Sequence, residues 1–532
     1  MKTNTVRELM LEQPDGVRLY TILQLPEPEG KFPLIIMRNP YSNANPDLEP
    51  MRTEDTHGYA ILYQHCRGTG KSEGICIPYL NERKDGLFLL DWIRKQPFYN
   101  GELFLHGASY LTSVHYSWLN TDPPDVKAAL LAVQDTERYN VLYRNGFFKA
   151  GLHGQWVMRM YKKNLPIERN YCEETFRTLP LSGITKAVFN EYVPEIEEEF
   201  RHPDPADPYW QTPDGGSDYH DAVQKCRIPV LLTTAFYDIY TGGVLDMWNR
   251  MTPERRQNCA CIVTPFDHAW NPAPRKEPSD LPDFENARIN EICPDLKYIW
   301  FDHFRKGTPL QFVEKGKLTY YTLFENRWHT EPTLVNGTES MRFYLGSGRT
   351  LQGQKPEAGE ITYTYNPFAP APFAGGVCHN FGGMQIQAEP NSRYDIISFV
   401  SEPIGKKLIC QGKFELELHC RSSAPDTCFY VRLDLVRDGK ALSLRDDIDS
   451  LCRLEKDYTP GTERVLKFSF VEHSFQLQPG DQLRLDVSSS CVPYFQVHTN
   501  RKGLQADQTG ADICRNTVVL GDSVLTVYFQ KP

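Results

Sequence analysis

At 532 residues the chain exceeds one ordinary domain, and its length suggests about three. A content of 40% hydrophobic, 12% aromatic and 24% charged residues excludes a disordered chain and supplies enough apolar side chains for real cores. The formal net charge of −10 at pH 7 excludes a broadly basic face, so neither nucleic acid nor an anionic membrane is an expected partner.

In chain order, the opening MKTNTVRELMLEQPDG carries no apolar signal-peptide core, and no later apolar run reaches the roughly 18 residues that span a bilayer. FPLIIMR (32–38), YAILYQHC (59–66), ELFLHG (102–107) and KAALLAV (127–133) are predicted strands, each bounded by Pro, Gly or charge. Between them DGLFLLDWIRKQ (85–96) spaces its apolar residues as a helix does. Strands alternating with helices predict a parallel sheet covered on both faces. From about 136 to 225 no buried-strand run occurs, and the aromatic, amphipathic stretch that starts there predicts an inserted helical cap. Strand patterning resumes with IPVLLTTAFYD (228–238) and CACIVTPFDH (259–268). After about 335, FELELHC, CFYVRLDLV, RVLKFSFVEH, DQLRLDVSSS and TVVLGDSVLTVYF alternate with period two, which predicts a β-sandwich or jelly roll. The expected division is 1–135 and 226–334 for the two parts of an α/β domain, 136–225 for the cap and 335–532 for the β domain. Fourteen cysteines without C-x-x-C pairs fit reduced thiols in a cytoplasm better than zinc or disulfides.

Residues 65–74, HCRGTGKSEG, contain GTGKS and so imitate a phosphate-binding loop. That loop needs a glycine five positions before its G-K pair, where this chain has His65. A different chemistry is read from the strand ends. ELFLHG runs through Ala108-Ser109-Tyr110 into a helix-like segment, the arrangement of a nucleophile elbow. Asp238 follows the strand ending in AFY, and His268 follows the one ending in TPFD. Ser, Asp and His in that order, each after a strand, is the order of an α/β-hydrolase triad. His65, His106, His115, His153 and His303 follow no late strand and rank below His268. In this reading Ser109 attacks, His268 takes and returns the proton, and Asp238 fixes the imidazole tautomer. The backbone N–H of Tyr110, the residue after the nucleophile, is one expected oxyanion donor.

These motifs, with their neighbours, resemble the cocaine-esterase-like branch of the X-Pro dipeptidyl-peptidase superfamily of serine hydrolases. That group also contains glutaryl acylases and α-amino-acid ester hydrolases. MRNPY (37–41), QHCRGTGKSEG (64–74), ERKDGLFLLDWIRKQPFYNG (82–101), HGASYL, AFYD, TPFDH, WFDHFRKG (300–307) and SSSCVPYFQVHTNRKG (488–503) carry the resemblance in order along the chain. His65, Thr112 and the Phe of TPFDH stand where the family has Asp, Gly and Trp. The resemblance implies an α/β-hydrolase sheet with an inserted helical cap and a C-terminal jelly roll. It also implies that GTGKS is a hydrolase loop and that the Tyr41 hydroxyl is the second oxyanion donor. The expected reaction is cleavage of an ester or amide bond of a small molecule through an acyl-Ser109 intermediate, with no cofactor and no metal. An X-Pro dipeptidyl peptidase or α-amino-acid ester hydrolase is the alternative, and a non-catalytic binding protein with the same fold a further one. Phe147, Phe148, Trp156, Tyr161 and Tyr240 are expected pocket residues. The run Glu195, Glu197, Glu198, Glu199 reads as a solvated helix face, or else as a site for a substrate's ammonium group. Self-association is left open.

Overall fold

The computed structural model describes residues 4–41, 48–161, 178–268, 281–282, 284–377 and 382–530. Ten strands form the first sheet: β1 (Thr5–Glu12), β2 (Arg18–Leu25), β3 (Phe32–Asn39), β4 (Ala60–His65), β5 (Tyr99–Ala108), β6 (Val126–Ala132), β7 (Val230–Tyr237), β8 (Ala260–Asp267), β9 (Leu318–Thr322) and β10 (Arg327–Glu331). Their spatial order is β1-β2-β4-β3-β5-β6-β7-β8-β9-β10. From β4 through β9 every pairing is parallel, while the β1–β2 hairpin and β10 add antiparallel edges. The six strands expected from the first 268 residues are all present. The edge hairpin, β9 and β10 were not expected, because charged and polar residues interrupt their apolar runs.

Alternation along the central strands explains the two cores. Ile35, Phe104, Leu130, Leu231 and Ile262 face helix α4 (Leu296–Lys306), packing on Trp300 and Phe301. Their neighbours Leu34, Ile36, Leu103, Leu105, Leu131, Leu232 and Val263 face the other side. There they meet helices α1 (Glu82–Arg94), α2 (Tyr110–Leu119) and α3 (Thr241–Arg250) through Leu89, Leu90, Val114, Trp118 and Trp248. Each such side chain, fully buried, contributes roughly 1.5–3 kcal/mol. A sheet buried on both faces leaves its carboxyl edge as the place for reactive groups.

Between β6 and β7 the expected helical insertion is present in short pieces. They include Arg138–Leu142, a π-helical turn at Ala150–Gly154, Gln155–Met160, Ile184–Phe189 and Pro194–Glu198. A two-residue ladder, Tyr143–Arg144 with Phe147–Phe148, interrupts them. The end of the amphipathic run, 162–164, lies outside the described residues.

The second region is all-β, with thirteen strands connected by hydrogen bonds, from Glu339–Gly346 to Val524–Gln530. The terminal apolar run folds as two strands, Cys514–Leu520 and Val524–Gln530, because Gly521 turns the chain at φ +82°. This region reaches the first sheet directly. Tyr237 donates to the Ser443 carbonyl at 2.8 Å, and the buried Arg445 guanidinium donates to the Phe236 carbonyl. Arg144 of the cap pairs with Asp447 at 2.8 Å. Among the described residues the cysteines are free and, except for Cys452, buried. No helix there is long and apolar enough to cross a membrane.

Candidate active site

Strand β5 ends at Ala108 and helix α2 begins at Tyr110, so one residue makes the turn. That residue, Ser109, has φ 57° and ψ −129°, a conformation few L-residues adopt. The tightness of the turn dictates its neighbours. A Cβ at Gly107 would stand 2.5 Å from the Leu111 carbonyl oxygen, so only glycine fits. Thr112, where the related pattern has glycine, is fully buried and spends its hydroxyl on β6. It donates to the Ala132 carbonyl and accepts from the Ala132 N–H, both at 3.0 Å. Its branched side chain therefore clasps the neighbouring strand and leaves the turn intact.

The three strand ends converge. Ser109 Oγ lies 2.9 Å from His268 Nε2, and His268 Nδ1 lies 2.7 Å from Asp238 Oδ1. A carboxylate only accepts, so Nδ1 carries the proton and Nε2 is left to accept from the serine hydroxyl. Asp238 is fully buried, and its second oxygen accepts from Thr234 Oγ1 at 2.9 Å, which fixes the carboxylate plane. Tyr240 packs edge-on to the His268 ring, with centroids 5.6 Å apart.

Beyond β3, Asn39 pins the next turn: its Oδ1 accepts from the Tyr41 N–H at 3.0 Å, and its Nδ2 donates to the Tyr41 carbonyl. The Tyr41 phenol lies among Ser109, the Trp156 side chain and the Tyr110 backbone. Burial pushes its pKa up by more than those hydrogen bonds pull it down, so the phenol stays a donor near neutral pH. The Tyr110 side chain turns away from Ser109. Its hydroxyl donates to Glu82 at 3.0 Å and accepts from the Tyr79 N–H at 2.6 Å. Glu82 in turn stands 3.3 Å from the buried Arg38 guanidinium. Burial pushes the Glu82 carboxyl up and Arg38 pulls it down, with burial the stronger.

A narrow cleft opens on Ser109. Its walls are Tyr79, Tyr110, Gln134, His153, Trp156 and Tyr240, with three aliphatic side chains. Trp156 and Tyr240 thus line the cavity, as expected of them. Phe147, Phe148 and Tyr161 do not. Phe147 packs on Tyr430 and Phe495 of the β region, Phe148 on Phe200 within the cap, and Tyr161 on Phe189. All three are buried as core, and helical spacing alone did not separate core from pocket. Tyr79, Gln134 and His153 were missed as wall residues; only His153 had drawn notice, as a lower-ranked histidine.

The glutamate run splits in two. Glu195 is exposed, as a solvated face requires, while Glu198 is half-buried and pairs with His202 at 3.0 Å. Glu197 is buried and accepts from the backbone N–H groups of Gly183 and Thr185, closing the start of the helix at Ile184. Glu199 is also buried, 2.8 Å from Arg138 and 2.9 Å from His153. The GTGKS segment is tied into the fold by its side chains. Ser72 Oγ donates to the His65 carbonyl and accepts from the Tyr20 N–H, while Lys71 pairs with Glu8 at 3.0 Å. His65 is buried with its pKa pushed down to about 4, and it abuts Gly70, where a Cβ would fall 2.4 Å from its ring. Among the described residues one group, Glu137, His220 and Asp221, could gather around a cation, and Arg250 ion-pairs with two of its members.

The profile of the X-Pro dipeptidyl-peptidase S15 family matches residues 15–270, and that of the X-Pro dipeptidyl-peptidase C-terminal non-catalytic domain matches 311–523. Cocaine esterase from Rhodococcus sp. (strain MB1 Bresler) is 23% identical over 557 aligned positions, covering 95% of this chain and 94% of that protein. An aminopeptidase from a marine sediment Thaumarchaeota archaeon superposes with a TM-score of 0.84 at 18% identity, over 99% of this chain and 97% of the other. An α-amino acid ester hydrolase superposes with a TM-score of 0.83 at 18% identity, over 99% and 96%. Two consecutive profiles thus span most of the chain: it carries an X-Pro dipeptidyl-peptidase (S15 family) domain over residues 15–270, followed by the C-terminal non-catalytic domain of X-Pro dipeptidyl-peptidases over 311–523.

Proposed function

We propose that the protein hydrolyses an ester or unstrained amide of a small molecule through an acyl-Ser109 intermediate. The observation that carries this reading is the unbroken chain Ser109–His268–Asp238, at 2.9 and 2.7 Å, opening on a cleft walled by aromatic and aliphatic side chains. His268 Nε2 takes the Ser109 proton as Oγ attacks the carbonyl carbon, and the imidazolium is balanced by Asp238. The developing oxyanion receives the Tyr110 N–H and the Tyr41 hydroxyl. The tetrahedral species collapses as His268 Nε2–H protonates the leaving oxygen or nitrogen. Water, deprotonated by the same imidazole, then attacks the acyl carbon and restores Ser109.

The charge of the cavity wall favours this reading over a dipeptidyl peptidase or an amino-ester hydrolase. Those activities need an uncompensated carboxylate to hold a free ammonium group. Among the described residues the cavity wall contains none, and the nearby Glu199 is already neutralised by Arg138. A non-catalytic role would not need the strained serine or its aligned imidazole. Turnover of p-nitrophenyl esters should exceed turnover of Gly-Pro-p-nitroanilide by orders of magnitude. The reverse preference would replace this reading with the peptidase one.

A further inference from the structure

The strand beside the elbow ends in a second backbone excursion. Val133, the residue after β6, has φ 47°, in a region that β-branched side chains avoid. It is buried, and its N–H donates to the Thr233 carbonyl at 2.7 Å, while Thr112 clasps Ala132 just before it. Held on both sides, the chain is forced out of the strand, and the next side chain, Gln134, enters the wall of the cavity that opens on Ser109. Strain kept this close to a nucleophile is a reason to ask what the next residue does.

Gln134 is 1% exposed. The Asp135 N–H donates to its Oε1 at 3.0 Å, and since an amide N–H requires an acceptor, the side-chain oxygen must stand there. Nε2 and its two hydrogens then point the other way and are buried; the Tyr79 hydroxyl faces them but is not aligned to complete a good hydrogen bond, so this donor is poorly paired within the protein. A buried, poorly paired donor is costly, and few native proteins keep one without a use for it. Aromatic and aliphatic groups make up most of the rest of the wall, so a ligand atom is the natural acceptor.

We infer that Gln134 is a specificity residue whose Nε2–H donates to an acceptor oxygen of the substrate, a keto, ether or amide oxygen beyond the scissile carbonyl. This rests on the acyl-Ser109 reading and adds the class of substrate to it: uncharged esters or amides whose buried portion carries such an oxygen. The test uses two pairs of esters of equal size. One pair differs on the acyl side (p-nitrophenyl methoxyacetate against butanoate). The other differs on the alcohol side (2-methoxyethyl acetate against butyl acetate). Gln134→Met keeps the volume and removes the donor. It should lower kcat/KM by about 10–100-fold on an ether-bearing ester, the loss of one hydrogen bond, and by less than about 3-fold on both hydrocarbon esters. The side on which the loss falls identifies the portion that the cavity receives. Gln134→Glu keeps the acceptor that the Asp135 N–H needs and should show the same selective loss if the methionine variant does not fold. Equal losses on all four esters, or none, would overturn the inference. Labelling of Ser109 by a small fluorophosphonate should still occur in both variants, which shows that the elbow is folded and reactive. Absence of labelling in the parent protein would instead remove the acyl-Ser109 reading itself.

Discussion

Two neighbouring strand ends at the candidate site show two kinds of precision. At the end of β5 the chain turns through Ser109, at φ 57°; at the end of β6 it turns through Val133, at φ 47°. The first turn is written in small residues and a hydroxyl, because a Cβ at Gly107 would strike the next turn of backbone. The second is enforced from outside, by Thr112 on one side and the Thr233 carbonyl on the other. A local constraint leaves a motif that can be read along the chain. A constraint imposed by neighbouring strands leaves none, and Gln134 looks like any polar residue after a strand.

The comparison can be broken at several points, beginning with the largest effect. Ser109→Ala should abolish fluorophosphonate labelling and lower kcat by 10⁴-fold or more, roughly, with the melting temperature preserved. His268→Ala should lose nearly as much, and the double variant little more, because the two act in one step. Additive losses would mean that the imidazole works elsewhere.

Tyr41→Phe removes one oxygen and keeps the ring, so kcat should fall about 10²–10³-fold with KM nearly unchanged. Stability should move by less than about 1 kcal/mol. Unchanged turnover in a well-folded variant would take Tyr41 out of the site.

Thr112→Val sharpens the contrast between the two turns. It preserves the shape but leaves the Ala132 N–H and carbonyl without the hydroxyl that both use, at a cost of roughly 1–3 kcal/mol. Urea unfolding measures the loss. A variant as stable as the parent would show that β6 does not depend on this clasp.

The smallest effect lies just past the second turn. Burial pushes the Asp135 carboxyl up to about 7. The native protein therefore keeps a proton that the unfolded chain gives up from about pH 4, and stability falls as pH rises through that window. Asp135→Asn should raise the melting temperature by several degrees at pH 8 and leave it unchanged at pH 4. A shift independent of pH would contradict this account of the carboxyl.

The sequence revealed the central strands, the order of Ser109, Asp238 and His268, and the placement of Tyr41 through its family resemblance. Those features depend on period-two apolar patterning and on residues within a few positions of a strand end. Phe147, Phe148 and Tyr161 were misread as pocket residues because an aromatic on a helical period has the same signature in a core and in a wall. The buried half of the glutamate run was missed for a related reason. Glu197 and Glu199 acquire partners from Thr185, Arg138 and His153, well separated along the chain. Tyr79 left no trace, since its role arises from a turn at φ 73° and from Arg138 lying 3.5 Å above its ring.

Arg445, described above as a tie between the two sheets, has a consequence for how the enzyme ages. Its guanidinium and the Ser443 carbonyl hold Phe236 and Tyr237, the two residues that lead into Asp238. Asp238, the proposed acid, is therefore seated on a bracket supplied by the β region, more than two hundred positions away in the chain. With Asp238 in the proposed role, slippage of this seam on heating should stop turnover before either sheet unfolds, so activity should be lost at a lower temperature than the far-ultraviolet circular dichroism signal.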